Sequence, residues 1–267
     1  MLSTKLHEVS NTNGDIKIIG SYLPLPGNGP LLPVNAFLIL GTEPALIDTG
    51  LAADHAAFLA RVQEAIALED LKWIFLTHVD ADHVGNLREI LAASGATVVT
   101  TFLGMGKLGL QGIQPRRVHL LNPGQALDIG DRTIASLRPP TFDAPETTAF
   151  FDGKTRALFS SDSFGALMPA PAEAASDLPS DALREGLTSW TMVDAPWLSH
   201  VREDSFRAAI DEVRRLDPGV VLSSHLPPAH GMLDTLCDHL YEARTAPPFI
   251  GPDQAAMEQL LAAESSV

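Results

Sequence analysis

The chain has 267 residues, 45% of them apolar, and a formal net charge of −15 at pH 7. That charge balance excludes broad binding to nucleic acid or to an anionic membrane, both of which need a basic face. A single cysteine, Cys237, excludes an internal disulfide framework and a metal or iron–sulfur site built from thiolates.

Residues 1–11 lack the apolar run of a signal peptide, and no stretch reaches the apolar length of a transmembrane helix. A cytoplasmic protein forming one domain over residues 1–267 is therefore expected. Residues 16–19, 34–40 and 45–47 are predicted strands, separated by Pro/Gly turns at 24–30 and 41–44. Asp48-Thr49-Gly50 closes the third. Phe58, Leu59, Val62 and Ile66 share one face of a helix predicted over 54–68, with Asp54 at its N-cap.

The apolar run 71–76 reads as a buried strand. It leads into Thr77-His78-Val79-Asp80-Ala81-Asp82-His83-Val84-Gly85-Asn86, and a helix bearing Leu87, Ile90 and Leu91 follows. Further strands are predicted at 97–100, 118–121, 133–137, 147–151, 157–159 and 219–222. Residues 103–112 are glycine-rich and weakly patterned, and the Pro/Ala/Ser-rich stretch 169–179 reads as a surface loop or lid. Residues 204–216 give the clearest amphipathic helix, and two more helical segments occupy 233–243 and 253–263. Two sheets packed face to face with helices outside them, an α/β four-layer αββα sandwich, would bury all of these one-sided elements.

The stretch 77–86 sets two histidines and two aspartates directly after a strand. Four metal-ligand side chains are costly to gather without a cation. A calcium loop is disfavoured, because imidazole is a poor calcium ligand and the terminal glutamate is missing. Two further strands end in residues of the same kind, at Ser160-Ser161-Asp162 and at Ser223-Ser224-His225. His230 competes with His225, whose place straight after a strand favours it. Trp190 and Trp197 are candidates for the pocket mouth or for packing. His7, His55, His119, His200 and His239 read most simply as surface or core histidines.

The segment His78-Val79-Asp80-Ala81-Asp82-His83-Val84-Gly85 resembles the His-x-His-x-Asp-His-x-Gly signature of the metallo-β-lactamase superfamily. Asp48-Thr49-Gly50 is similar to that superfamily's early Asp-Thr-Gly turn, 160–165 to its bridging-aspartate segment, and 223–225 to its final histidine. Most hydrolases of the superfamily have histidine where this chain has Asp80. A carboxylate there, with the segment 158–165, resembles instead the flavodiiron proteins and their stand-alone oxygen-binding diiron relatives. Asp143, in Phe142-Asp143-Ala144-Pro145-Glu146-Thr147, sits where that branch has a ligand histidine and fits neither branch.

By this resemblance the first metal would be held by His78, Asp80 and Asp143. The second would be held by Asp82 and His225, with His83 bound or one water away, and Asp162 would bridge. Such an oxygen-rich site suits iron, or manganese, better than zinc. Asp80, Asp82, Asp143 and Asp162 also match the charge of two divalent ions. The resemblance implies a non-haem diiron protein that binds or reduces O2 or NO, as an oxidoreductase or gas sensor. The alternative is a hydrolase of an ester, thioester, lactone or phosphoester, in which a bridging hydroxide oriented by Asp82 attacks a small-molecule substrate. Neither a Cys-x-x-Cys pair nor a glycine- and Ser/Thr-rich phosphate loop occurs in the chain. Redox chemistry is therefore expected to draw on a separate electron-donor protein. A homodimer is expected from the resemblance.

Overall fold

The structure, a computed structural model, describes residues 5–8, 14–26 and 29–264. The tip of the 24–30 turn, most of residues 1–11 and the side chain of His7 lie outside the described residues. Seven strands form the first sheet in chain order: β1 (Lys5–Glu8), β2 (Ile16–Pro24), β3 (Leu31–Ile39), β4 (Ala45–Ile47), β5 (Trp73–Phe75), β6 (Thr97–Thr100) and β7 (Val118–Leu120). Neighbours are antiparallel as far as β4 and parallel from β4 to β7.

The second sheet contains β8 (Ala126–Asp128), β9 (Thr133–Leu137), β10 (Ala149–Asp152), β11 (Ala157–Phe159), β12 (Val220–Leu222) and β13 (Ala229–His230). Its order is β13-β12-β11-β10-β9-β8, with only β11 and β12 parallel.

Side-chain alternation along the strands builds three cores. Phe37, Ile47, Phe75 and Val99 of the first sheet face Phe150, Phe159 and Leu222 of the second. Phe37–Phe159 and Phe75–Phe150 meet edge to face, with ring centroids 5.3 and 5.1 Å apart. The alternate residues Leu46, Ile74 and Val98 point outward onto α1 (His55–Ala65), α2 (Leu87–Ala93) and α3 (Phe102–Leu110). On the far side, Leu158 and Val221 pack against α4 (Ser180–Asp194), α5 (Glu203–Leu216) and α6 (Leu233–Ala243). Cys237 is a packing residue of this outer core, and burial pushes its thiol up to about 12. A last helix, α7 (Gln254–Glu264), follows. The layers are α, β, β, α, as the one-sided patterns predict. No helix among the described residues is long and apolar enough to cross a membrane.

Two helices depart from the sequence reading. Residues 103–112 contain four glycines of low helix propensity, yet Phe102–Leu110 is helical. Thr101 caps it, its Oγ1 accepting from the Gly104 N–H at 3.1 Å, and Leu108 is fully buried. The second is α4, for which no helix was expected. Its buried residues include Gly186, Thr191 and Asp194 among the apolar ones, so small and polar side chains blur the 3.6-residue period. Within 169–179 only a short 3-10 turn, Ala175–Asp177, is regular.

Candidate metal centre

Every loop of the site leaves the end of a strand on the same edge of the two sheets. Asp48 follows β4, His78 follows β5, Asp162 follows β11 and His225 follows β12. The start of β10 closes the edge, with the Thr148 N–H donating to the Thr77 carbonyl at 2.8 Å. Three non-glycine residues here, Asp48, Ser161 and Phe164, take left-handed backbone conformations at φ 57°, 56° and 66°. Each costs roughly 1–3 kcal/mol and persists only where surrounding bonds enforce it. Gly85 is required by contact: a Cβ there would lie 2.3 Å from both the Ala52 nitrogen and the Gly50 oxygen. The Gly85 N–H donates to that Gly50 oxygen at 3.0 Å, locking the Asp-Thr-Gly turn to the histidine loop.

The three histidines are held alike. His225 Nδ1 bonds the Pro33 carbonyl at 2.7 Å, which fixes the Nδ1–H tautomer. His83 Nδ1 bonds Asp48 Oδ2 at 2.8 Å. His78 Nδ1 lies 3.2 Å from Ser161 Oγ and 3.3 Å from Thr77 Oγ1. In each ring the Nε2 atom is left bare and buried, without a hydrogen-bond partner among the described residues, as is Asp162 Oδ1.

These bare atoms converge. Asp162 Oδ1 is 3.2 Å from His83 Nε2 and 3.4 Å from His225 Nε2, while Oδ2 is 3.6 Å from His78 Nε2. Asp82 Oδ2 is 3.5 Å from both His83 Nε2 and His225 Nε2. The alignments are those of no hydrogen bond, but the spacings fit donor atoms sharing a cation about 2.0–2.2 Å from each. Ligand atoms of His78, Asp80 and Asp143 form a neighbouring group within 4.8 Å of one another, as do those of Asp143, Asp162 and Asp194.

Electrostatics report an excess of negative charge. Burial alone would lower His83, but Asp82, Asp162 and Asp48 hold its pKa well above the usual imidazole value. Burial likewise opposes a raised His225, and Asp162 outweighs it. Asp162 and Asp82 are held low despite burial, Asp162 by His78, His225 and His83, and Asp82 by His83 and His225. Burial, with Asp80 and Asp162 beside it, raises Asp143. Burial and then the charges of Asp162 and Asp143 push Asp194 up to about 9.

All seven sequence-derived residues, His78, Asp80, Asp82, His83, Asp143, Asp162 and His225, thus lie in overlapping donor groups. His230 does not: it faces a separate cavity of about 370 Å³ lined also by Tyr22, Asn35 and Asp177. Trp190 packs against His225 with tilted rings, centroids 4.4 Å apart, and donates its indole N–H to the Asp162 carbonyl at 3.1 Å. Trp197 donates to the Phe142 carbonyl at 2.8 Å and so anchors the Asp143 loop. His55 bonds Asn86 at 2.9 Å, and His119 meets Trp73 edge to face. Sequence reasoning missed Asp194, whose only signal is its four-residue spacing from Trp190 on an unrecognised helix. It also missed Lys107, which pairs with the fully buried Glu146 at 2.5 Å on the Asp80/Asp143 side.

Asp48 acts through His83. Its Oδ1 accepts from the Thr77 N–H at 2.8 Å and its Oδ2 from Thr77 Oγ1 at 2.6 Å, so one carboxylate ties strand end, tautomer and ring together. Asp48→Ala is expected to weaken metal binding by about 10–100-fold, the usual cost of losing such an orienting partner. Competition titration with a chromophoric chelator measures it, and unchanged affinity would remove Asp48 from this role.

Comparison with known proteins agrees with this architecture. A "Putative diflavin flavoprotein A 1" of Thermosynechococcus vestitus is 31% identical over 134 residues, which is 49% of this chain and 24% of that protein. A "Type A flavoprotein fprA" of Rhodobacter capsulatus is 25% identical over 205 residues, covering 72% of this chain and 44% of the relative. The chain thus spans less than half the length of these curated relatives. The solved structure of rubredoxin oxygen:oxidoreductase from Desulfovibrio gigas superposes with a TM-score of 0.75 at 17% identity, over 90% of this chain and 60% of the other. That likeness shows a shared fold, the metallo-β-lactamase sandwich. A family model, "ODP family beta lactamase", matches residues 32–225, across all the strand-end loops of the site, and the chain belongs to that family.

Proposed function

We propose that this chain holds two metal ions, iron foremost, in a dinuclear centre that binds or reduces O2 or NO. The observation that carries the reading is the convergence of three bare imidazole Nε2 atoms on Asp162 and Asp82, beside a second group of His78, Asp80 and Asp143. These residues fit such a pair of ions. The donors are oxygen-rich with imidazole support, and the raised pKa values of His83 and His225 mark a site short of positive charge. His78, Asp80 and Asp143 would hold one ion, Asp82, His83 and His225 the other, and Asp162 would reach both.

Bound iron would supply the one-electron steps that reduction of O2 or NO requires. The protein orients the donors: Asp48, Ser161 and the Pro33 carbonyl keep each Nδ1 occupied and each Nε2 turned inward. Trp190 walls the buried side. The relatives named as flavoproteins support a redox role, with electrons from a separate donor protein. A cytoplasmic homodimer is the setting this reading assumes.

The test is consumption of O2 and NO, followed with an electrode, by iron-loaded protein under a chemical reductant. Reductant-dependent consumption is expected. Failure to bind or consume either gas, together with turnover of esters or phosphoesters by the zinc-loaded protein, would favour hydrolysis instead.

A further inference from the structure

Helix α4 carries a stripe of three residues, Gly186, Trp190 and Asp194, at four-residue spacing on the side facing the metal centre. Gly186 lets the helix approach closely, since a Cβ there would lie 2.1 Å from the Leu167 oxygen. The Leu167 N–H donates to the Gly186 carbonyl at 3.1 Å. One turn on, Trp190 packs against the His225 ring and bonds the Asp162 carbonyl. The next turn ends the helix at Asp194, so the approach and rotation of α4 are set before the carboxylate is placed. The Asp143 loop is fixed from the same direction by Trp197 and the Phe142 ring, 5.1 Å apart.

The Asp194 carboxyl is buried beside like-charged groups. The residue is only 7% exposed, and its Oδ2 has no hydrogen-bond partner among the described residues. It offers an oxygen within 4.8 Å of ligand atoms of Asp143 and Asp162, both carboxylates. As the last residue of α4 it also sits at the negative end of the helix dipole, where a carboxylate is disfavoured. Ionising a buried carboxyl among like charges at this end of a helix is expensive, and a bound cation offsets all three costs.

We propose that Asp194 is a further metal ligand of this centre, completing with Asp143 the ion held by His78 and Asp80. The proposal rests on the dinuclear reading above and adds a ligand from α4 to the set drawn from strand-end loops. Asp80, Asp143 and Asp194 would give that ion three carboxylates beside the His78 imidazole. That set makes the site harder, favouring iron or manganese over zinc.

The substitution Asp194→Asn keeps shape and hydrogen-bonding capacity but removes the charge. Metal-free wild-type and variant proteins are titrated with Fe(II) under anaerobic conditions and with Mn(II), and bound metal is counted by mass spectrometry after desalting. Thermal melting is recorded with and without metal. Two ions are expected on the wild type. The variant should keep one ion, or bind the second more weakly than the roughly 10–100-fold loss typical of an outer partner. Its metal-free form should melt no lower than the wild type, because the amide is neutral like the protonated carboxyl it replaces, while the increment added by metal should shrink. Asp194→Ser serves as the second substitution if the amide disturbs packing. Two ions on both proteins with affinities within about a hundredfold overturns the ligand role and leaves the dinuclear reading standing. A wild type that binds neither metal overturns both.

Discussion

Arg132→Met is expected to destabilise the protein by roughly 3–5 kcal/mol, the cost of leaving a buried charge unpaired. The guanidinium and the Asp152 carboxylate are both fully buried and 3.0 Å apart. Arg132 also donates to the Leu40 carbonyl at 2.9 Å, Asp15 at 2.9 Å and Asp131 at 3.0 Å. Leu40 follows β3 of the first sheet and Asp152 ends β10 of the second, so this side chain clamps the two sheets together. The clamp lies at the opposite end of β10 from the metal edge, where Thr148 meets Thr77. Chemical denaturation measures the effect, and Asp152→Asn added to the variant should recover part of it. A loss under about 1 kcal/mol would show the cluster to be no stronger than a surface network.

The same cluster sets an acid limit. Hydrogen bonds from Arg132 and Lys154 hold Asp131 below the usual carboxylate range, and these two cations outweigh burial to lower Asp15. Folded pKa values below the unfolded ones mean that this contribution is complete above the ordinary carboxylate range. It is then lost as pH falls through the lowered values. Arg132→Met should therefore flatten the acid limb of the stability profile as well as lowering its plateau.

The second large effect is at Asp162. Its two oxygens lie within 3.2–3.6 Å of the Nε2 atoms of all three site histidines, and it sits in the donor groups on both sides of the centre. No other side chain of the site reaches all three rings. Asp162→Ala should therefore reduce binding from two ions per chain to one at most, with affinity for the survivor down by about 10–100-fold or more. Elemental analysis of desalted, iron-reconstituted protein gives the count directly. Two ions on the variant would assign the bridge to another residue.

Much of this centre is legible in the sequence because its donors follow buried strands. The apolar runs before His78, Asp162 and His225 announce parallel strands, and parallel neighbours deliver their ends to one edge. Asp48 is readable for the same reason. The period of two also separates the inner core, Ile47, Phe75, Phe159 and Leu222, from the outer faces, Leu46, Ile74, Leu158 and Val221. What the sequence hides is whatever depends on α4. The buried surface of that helix mixes Gly186, Thr191 and Asp194 with leucines, so no apolar stripe marks it. Its packing is dictated by a backbone approach at Leu167 that no local pattern encodes. The other glycine-bearing helix, α3, is hidden by propensity and recovered by its Thr101 cap and buried Leu108. The partners of the Nδ1 atoms, Pro33 and Ser161 among them, are invisible for a different reason. A backbone carbonyl 192 residues away carries no signature of its own.

The central claim is that bare imidazoles and carboxylates at one sheet edge hold two irons. Freshly purified protein from cells grown with both iron and zinc can be analysed for metal, and its oxidised form examined by optical and Mössbauer spectroscopy. Two irons per chain, with the magnetic coupling of a carboxylate-bridged pair, is the predicted result. A colourless protein holding only zinc, or no metal even after anaerobic reconstitution with Fe(II), would contradict it.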